Sequence, residues 1–317
     1  KRSGGSYRQF LFSFYDQNQK EWSLVPDLSV SSVVKFIQNK INTKTKWFYT
    51  GEAYRKQNKN YNAPIINQTG FEIFASNDKI KDDKEIIKTS IEIFKKSKFK
   101  KGELNISNIE IFNALIDRLS LALRWKERIK RHFCREAYFN QLLSKLSSDT
   151  DINFAEVEKD KKIAEKFRKQ KPSTLYSGRA LKDILERFDL KNFKEPRSIA
   201  DKKSVKIIKN YLKISCSIDN APSTLNKFFK KNKLNLFISD DYFPVVKTIN
   251  RKIKINFSSN INRSLEYYSG MVFNITVNKK GKKFSLISGG RYDGLLKNLG
   301  SKKNTTAVGA AIDMSLL

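Results

Sequence analysis

Apolar and aromatic residues fill positions 11–15 and return at 21–25, on either side of the polar run Asp16-Gln17-Asn18-Gln19. Two short strands around a turn-forming run predict a hairpin. Pro26-Asp27 stops the second strand, and Ser29 is placed to cap a helix with Val33, Val34, Ile37 and Ile41 at helical spacing. Residues 47–54 and 67–74 read as two further strands joined by a polar loop at 56–63. Ile86, Ile87, Ile91 and Phe94 mark a helix, and Ser107 is expected to cap the next. In that helix Phe112, Leu115, Ile116 and Leu119 form one apolar stripe.

The pattern then stays helical to about residue 212, broken near 147–151 and at Pro172. Residues 154–192 alternate in charge and hold few large apolar side chains, which predicts a solvated helical face. Strand character returns at 234–238, 253–255, 270–277 and 284–287, with Gly281 in a turn. A short helix is expected around Leu295-Leu296 and a small-residue strand at 307–311. Sheet, helices and sheet again predict an α+β fold with a helical insertion rather than a βαβ alternation. The division expected is 1–105 and 233–317 as two parts of one sheet domain, with 106–232 as the mainly helical insertion.

Composition narrows the class. Of 317 residues, 39% are hydrophobic and 12% aromatic, too many for a disordered chain. No apolar run reaches the ~18 residues of a membrane span, and no charged-then-apolar leader opens the sequence. A cytoplasmic location is expected. Two cysteines, Cys134 and Cys216, cannot supply a disulfide framework or a zinc site, and the single His132 excludes a His-rich metal centre. The net charge of +31 attracts phosphates in general. The lysines, however, are spread along the chain beside abundant Asn and Ile, as AT-rich codons would produce. Clusters such as 95–101 and 279–283 lack the repeated aromatics or Arg forks of a base-stacking or base-reading surface. Nucleic acid is therefore not the expected partner, and no cofactor is expected.

Four segments crowd hydrogen-bonding residues into apolar strand contexts: 25–29 (VPDLS), Tyr54-Arg55 with 68–72 (QTGFE), 263–270 (RSLEYYSG) and 288–294 (SGGRYDG). Residues four apart in a strand share a face, so Gln68 and Glu72 point to one side. An amide and a carboxylate beside two tyrosines and an arginine make an amino-acid pocket. Arg263 would hold a carboxylate, Gln68 an ammonium or carboxylate, and Glu72 a ring N–H. No P-loop or dinucleotide fingerprint is present.

Residues 263–273 (RSLEYYSGMVF) and 289–295 (GGRYDGL), followed by Ala307-Val308-Gly309, resemble the histidine-recognition loop and final motif block of histidyl-tRNA synthetases. Their paralogue, the regulatory subunit of ATP phosphoribosyltransferase, shares these blocks, and the 25–29 segment resembles its form of the Pro-Asp-Leu-Thr motif. The resemblance implies a class II synthetase-like antiparallel sheet flanked by helices. It makes Arg263, Gln68, Glu72, Tyr268 and Tyr292 the histidine pocket, with Asp27 and Ser29 on the ammonium side and Tyr267 beside them. Arg55 matches the arginine that grips the ATP α-phosphate in the synthetase.

The departures favour the regulatory paralogue. Leu316 stands where a synthetase has the arginine that holds the γ-phosphate, a charge that a neutral side chain cannot replace. The sequence runs only 8 residues past Gly309, where a synthetase continues into an anticodon-binding domain. Val25 and Ser29 replace an Arg and a Thr. The expectation is a non-catalytic subunit that binds L-histidine, partners the short-form catalytic subunit of ATP phosphoribosyltransferase and forms a homodimer within a hetero-oligomer. The rivals are a truncated histidine–tRNA ligase and a tRNA-binding regulator on the same scaffold. His132 and Cys134 are read as packing residues.

Overall fold

The fold is that of a computed structural model, which describes residues 11–56, 64–148, 154–170, 175–176, 179–191, 200–239, 242–243, 253–261, 267–301 and 303–317. The hairpin of β1 (Ser13–Tyr15) and β2 (Glu21–Ser23) forms as the pattern predicts. Asp16 organises its turn, accepting from the backbone N–H groups of Asn18 and Lys20 and from the Trp22 indole. Helix α1 (Leu28–Gln38) follows, capped by Asp27 and not by Ser29. The Asp27 carboxylate accepts from the Ser29 N–H, which puts Ser29 inside the first turn. Its buried stripe is Ser29, Ser32, Val33 and Phe36, while Val34 faces solvent and Ile41 lies beyond the helix end.

Strands β3 (Thr45–Tyr54) and β4 (Ile65–Phe74) pair along their full length. Helix α2 (Lys79–Lys96) buries Ile86, Ile87, Ile91 and Phe94 on one face, as the spacing requires. Strand β5 (Glu103–Asn108) then enters the middle of the sheet, and Asn108 rather than Ser107 caps α3 (Ile109–Arg118) by accepting from the Glu110 N–H. Helices α4 (Leu123–His132), α5 (Glu136–Ser147), α6 (Phe154–Arg168), α7 (Leu181–Lys191), α8 (Ala200–Tyr211) and α9 (Ala221–Lys231) fill the middle of the chain. Two small strands, β6 (Leu175–Tyr176) and β7 (Arg179–Ala180), pair between α6 and α7, and β8 (Ser215–Ser217) lies between α8 and α9. Pro172 lies outside the described residues.

The strand expected at 234–238 is irregular. Asn226 donates from its amide to the Ile238 carbonyl and accepts from the Ile238 N–H, so a side chain takes both backbone groups that a neighbouring strand would need. The remaining strands are β9 (Lys254–Ser258), β10 (Met271–Lys279), β11 (Lys282–Arg291) and β12 (Ala307–Asp313), with α10 (Asp293–Asn298) before β12. Gly281, at φ 76°, makes the β10–β11 turn.

Eight strands form one sheet in the order β3-β4-β12-β11-β10-β5-β9-β8. All neighbours are antiparallel except β5 and β9, which run parallel and make the sheet mixed. A parallel pair requires a crossover, and here the crossover is the whole helical segment α3 to α9. The main core lies between sheet and helices around Phe112, Phe139, Phe229 and Phe273. A second cluster joins Val33 and Phe36 of α1 to Phe74, Tyr292 and Leu296. There the Phe36 and Phe74 rings stack with centroids 4.5 Å apart, and Trp47 meets both edge-on at 5.8 Å.

Candidate functional site

The second cluster forms one wall of a cavity of about 400 Å³, within the usual range for small-ligand sites. Eight of the nine expected site residues line it: Asp27, Ser29, Arg55, Gln68, Glu72, Tyr267, Tyr268 and Tyr292. The ninth, Arg263, lies outside the described residues.

Two polar chains shape the closed end. In the first, Gln68 bridges the start of α1: its amide donates to Asp27 Oδ1 at 3.0 Å and its carbonyl accepts from the Leu28 N–H at 3.1 Å. The Tyr267 hydroxyl donates to Asp27 Oδ2 at 3.1 Å. In the second chain, Ser29 Oγ and the Tyr49 hydroxyl are 2.7 Å apart, Tyr49 donates to Glu72 Oε1 at 2.9 Å, and Tyr292 donates to Glu72 Oε2. The rings of Tyr267 and Tyr268 pack with centroids 4.9 Å apart, and Tyr267 meets Tyr292 nearly edge-on at 5.7 Å. Arg55, which lines the same cavity, donates from Nε to the Pro26 carbonyl at 2.7 Å.

Glycines make room for the second chain. Gly70 faces Tyr49 across the β3–β4 ladder, and a Cβ there would lie 2.2 Å from the phenol. Gly309 faces Glu72 across β4–β12, where a Cβ would lie 1.4 Å from Oε2. Gly309→Ala should therefore displace Glu72, break its bonds to both tyrosines and cost about 1–3 kcal/mol as an overpacking substitution. Urea unfolding of the ligand-free protein measures this; a loss below about 0.5 kcal/mol would show that Glu72 is not held as described.

Burial pushes the Glu72 carboxyl up to about 7, against the pull of the hydroxyls of Tyr292, Tyr49 and Ser29, and the charge of Asp27 pushes the same way as burial. The Tyr292 and Tyr49 hydroxyls are held well above the ordinary tyrosine value, first by burial and then by the Glu72 charge. They stay protonated and act as donors. The closed end can thus accept N–H groups of a small polar ligand at two carboxylates.

The open end is a floor of short polar side chains, Asn274, Thr276, Ser285 and Ser288, flanked by Lys283, Asp313 and Leu316. Asp313 caps the 3-10 turn Met314–Leu316 through the Ser315 N–H, and burial raises its carboxyl above the ordinary value. A carboxylate and the apolar Leu316 line this end. Among the described residues no cluster of three His, Cys, Asp or Glu side chains suits a metal ion, and no helix is long and apolar enough to cross a membrane.

A family model described as histidyl-tRNA synthetase matches residues 1–186 and 163–317. The chain belongs to the histidyl-tRNA synthetase family. It is 22% identical over 334 aligned residues to the ATP phosphoribosyltransferase regulatory subunit of Sinorhizobium fredii, covering 98% of this chain and 86% of that protein. It is 25% identical to the histidine–tRNA ligase of Prochlorococcus marinus, covering 97% of this chain and 57% of the ligase. A solved structure of an ATP phosphoribosyltransferase regulatory subunit/histidyl-tRNA synthetase from Bacillus halodurans superposes with a TM-score of 0.59 at 18% identity, covering 97% of this chain and 67% of that one. The histidyl-tRNA synthetase-like α+β fold expected from the motifs is the fold found.

Within this family fold, Tyr49 is the contact that the sequence reading missed. Nothing in its own segment singles it out; its place follows from the β3–β4 register that sets it over Gly70. Arg291, by contrast, sits in the Gly-Gly-Arg-Tyr-Asp-Gly block but turns away from the cavity to Asp83 and Asp293.

Proposed function

We propose that this family member is a non-catalytic regulatory subunit of ATP phosphoribosyltransferase, working in the cytoplasm, that binds L-histidine in the cavity and passes feedback inhibition to the short-form catalytic subunit. The observation that carries the reading is the pair of buried carboxylates, Asp27 and Glu72, set about with tyrosines at the closed end. Such a set suits a ligand with an ammonium at one end and a ring N–H at the other. In this reading the ammonium meets Asp27 and Gln68, the ring N–H meets Glu72, Tyr268 and Tyr292 enclose the ring, and Arg263 and Arg55 receive the carboxylate. Kinship with regulatory subunits over most of their length, together with Leu316 and Asp313 at the open end, supports a sensor over a ligase. Regulation follows by linkage if histidine binds one state of a hetero-oligomer built on a homodimer of this chain more tightly than another.

The ligase of Prochlorococcus marinus among the relatives keeps a second reading alive, a histidine-activating enzyme. Calorimetric titration with L-histidine, paired with histidine-dependent exchange of pyrophosphate into ATP, separates the two. The expected result is saturable binding without exchange, followed by histidine-sensitive activity on mixing with the catalytic phosphoribosyltransferase. Exchange above background would overturn the sensor reading, and absence of histidine binding would overturn both.

A further inference from the structure

We propose that occupancy of the cavity is coupled to loss of a proton from Glu72, with Tyr49 as the positioning residue that prepares the carboxylate; this rests on the histidine reading above. Glu72 is 1% exposed, and both of its oxygens accept from phenols. Tyr49 has one hydroxyl hydrogen and directs it at Glu72, so the 2.7 Å contact with Ser29 must run from Ser29 to Tyr49. With Glu72 ionised, the chain Ser29→Tyr49→Glu72←Tyr292 uses each hydroxyl hydrogen once. A protonated Glu72 adds a fourth hydrogen, which either reverses one of these contacts or points into the cavity. The two forms differ by one proton, and the ionised one meets a ligand N–H with lone pairs alone.

Among the described residues no cation is among the influences on the Glu72 carboxyl. Facing Glu72 are Asp27 at the head of α1, Tyr49 from β3, Gln68 from β4 itself, Tyr267 and Tyr268 before β10, and Tyr292 before α10, while β12 presents Gly309. The influences on Glu72 are burial, the nearby hydroxyls of Tyr292, Tyr49 and Ser29, and the like charge of Asp27. Arg55 lines the same cavity and acts on Tyr268. With the carboxyl near 7, a large share of empty sites carries the proton at neutral pH, and a ligand that donates to Glu72 must expel it. Free imidazole, with an ordinary value of about 6.5, is mostly neutral at pH 7.5 and does not mask the release.

The test is calorimetric titration of the intact protein with L-histidine at about pH 7–7.5, in phosphate and in Tris, whose ionisation heats differ. The expected result is an apparent enthalpy that depends on the buffer and reports release of a fraction of a proton. In Tyr49→Phe the loss of a donor to the charged form raises the Glu72 midpoint. For a shift of about one unit, affinity falls about fivefold at pH 7 but less than about twofold at pH 8.5. A merely structural role would weaken binding equally at both. Binding with the same enthalpy in both buffers overturns the coupling and leaves the histidine reading intact. No heat of binding at all overturns the reading on which the coupling rests. An infrared pH titration of the ligand-free protein against Glu72→Gln gives a second measurement: lack of a protonated-carboxyl difference between about pH 6 and about pH 8 also overturns the proposal.

Discussion

Arg291→Ala should destabilise the fold by about 3–5 kcal/mol, the usual consequence of removing one partner from a buried ion pair. Arg291 is 3% exposed and spends every guanidinium nitrogen inside the protein. Nε and Nη2 donate to Asp83 Oδ1 at 3.0 and 2.6 Å, Nη1 to Asp293 Oδ1 at 3.0 Å, and Nη2 also to the Lys79 carbonyl. Asp293 in turn accepts from the Ala307 N–H, so the cluster ties α2 and α10 to the ends of β11 and β12. Asp83, mostly buried, has its carboxyl raised to about 6 by burial even with the guanidinium beside it. Without Arg291 that carboxyl must stay neutral in the fold or carry an unpaired charge, and the unfolded chain ionises it freely. The deficit should therefore widen as pH rises from 5 to 8. Urea unfolding at both values measures it, and a loss below about 1 kcal/mol at pH 8 would show that the cluster is dispensable.

Glu72→Gln should do the opposite to stability while removing the proposed function. The Glu72 carboxyl rises from 4.5 to about 7 on folding, a burden of about 3 kcal/mol on the ligand-free fold once the group is ionised. The sign follows from proton counting: between those values the folded state holds the proton more tightly, so stability falls as pH rises through the window and is unaffected below it. Glutamine fills the same space, carries no charge and offers its amide oxygen to one of Tyr49 and Tyr292, while the other hydroxyl turns to accept from its NH2. The variant should be more stable than the parent by about 1–3 kcal/mol at pH 8, with little difference at pH 4.5. Its affinity for histidine should fall by about 100-fold or more, because a charge-assisted bond is lost and an amide hydrogen faces the ligand N–H. Equal stability of parent and variant at pH 8 would refute the burden assigned to Glu72. This is the trade-off expected where a binding site is built at the expense of the fold.

Gln68 and Glu72 could be read from strand spacing, and the other expected lining residues came with the motif blocks that resemble the family's. The four-residue spacing of Gln68 and Glu72 on a strand needs no tertiary information, and the Tyr-Tyr-Ser-Gly and Gly-Gly-Arg-Tyr-Asp-Gly blocks brought Tyr267, Tyr268 and Tyr292 with them. Tyr49 was not legible because its role depends on which residue faces it across the ladder. Strand β5 escaped for a different reason. Asn105 interrupts Leu104 and Ile106 in the middle of the sheet, where it bonds to Asn274 on one neighbour and Asn256 on the other. An amide ladder of this kind reads as a loop in one dimension. The false strand at 234–238 is the reverse case, an apolar run whose Ile238 backbone is already satisfied by Asn226. Asp27 and Asn108 hold the caps expected of Ser29 and Ser107, one or two positions away, a difference that only the backbone turn resolves.

The order of the sheet also governs when the site can exist. Strands β3 and β4 carry Tyr49, Gln68 and Glu72, yet they reach β5 only through β12, β11 and β10. During synthesis the first hairpin and its helix emerge long before the strands that join them to the rest, so their inner edges stay open while the helical crossover is made. Contacts this distant in sequence lengthen the search for the native state. Strand edges left waiting are templates for wrong partners. A nascent chain halted between Tyr292 and Ala307 would hold the Asp27 and Glu72 carboxylates and the phenols that line the cavity without the strand that completes it.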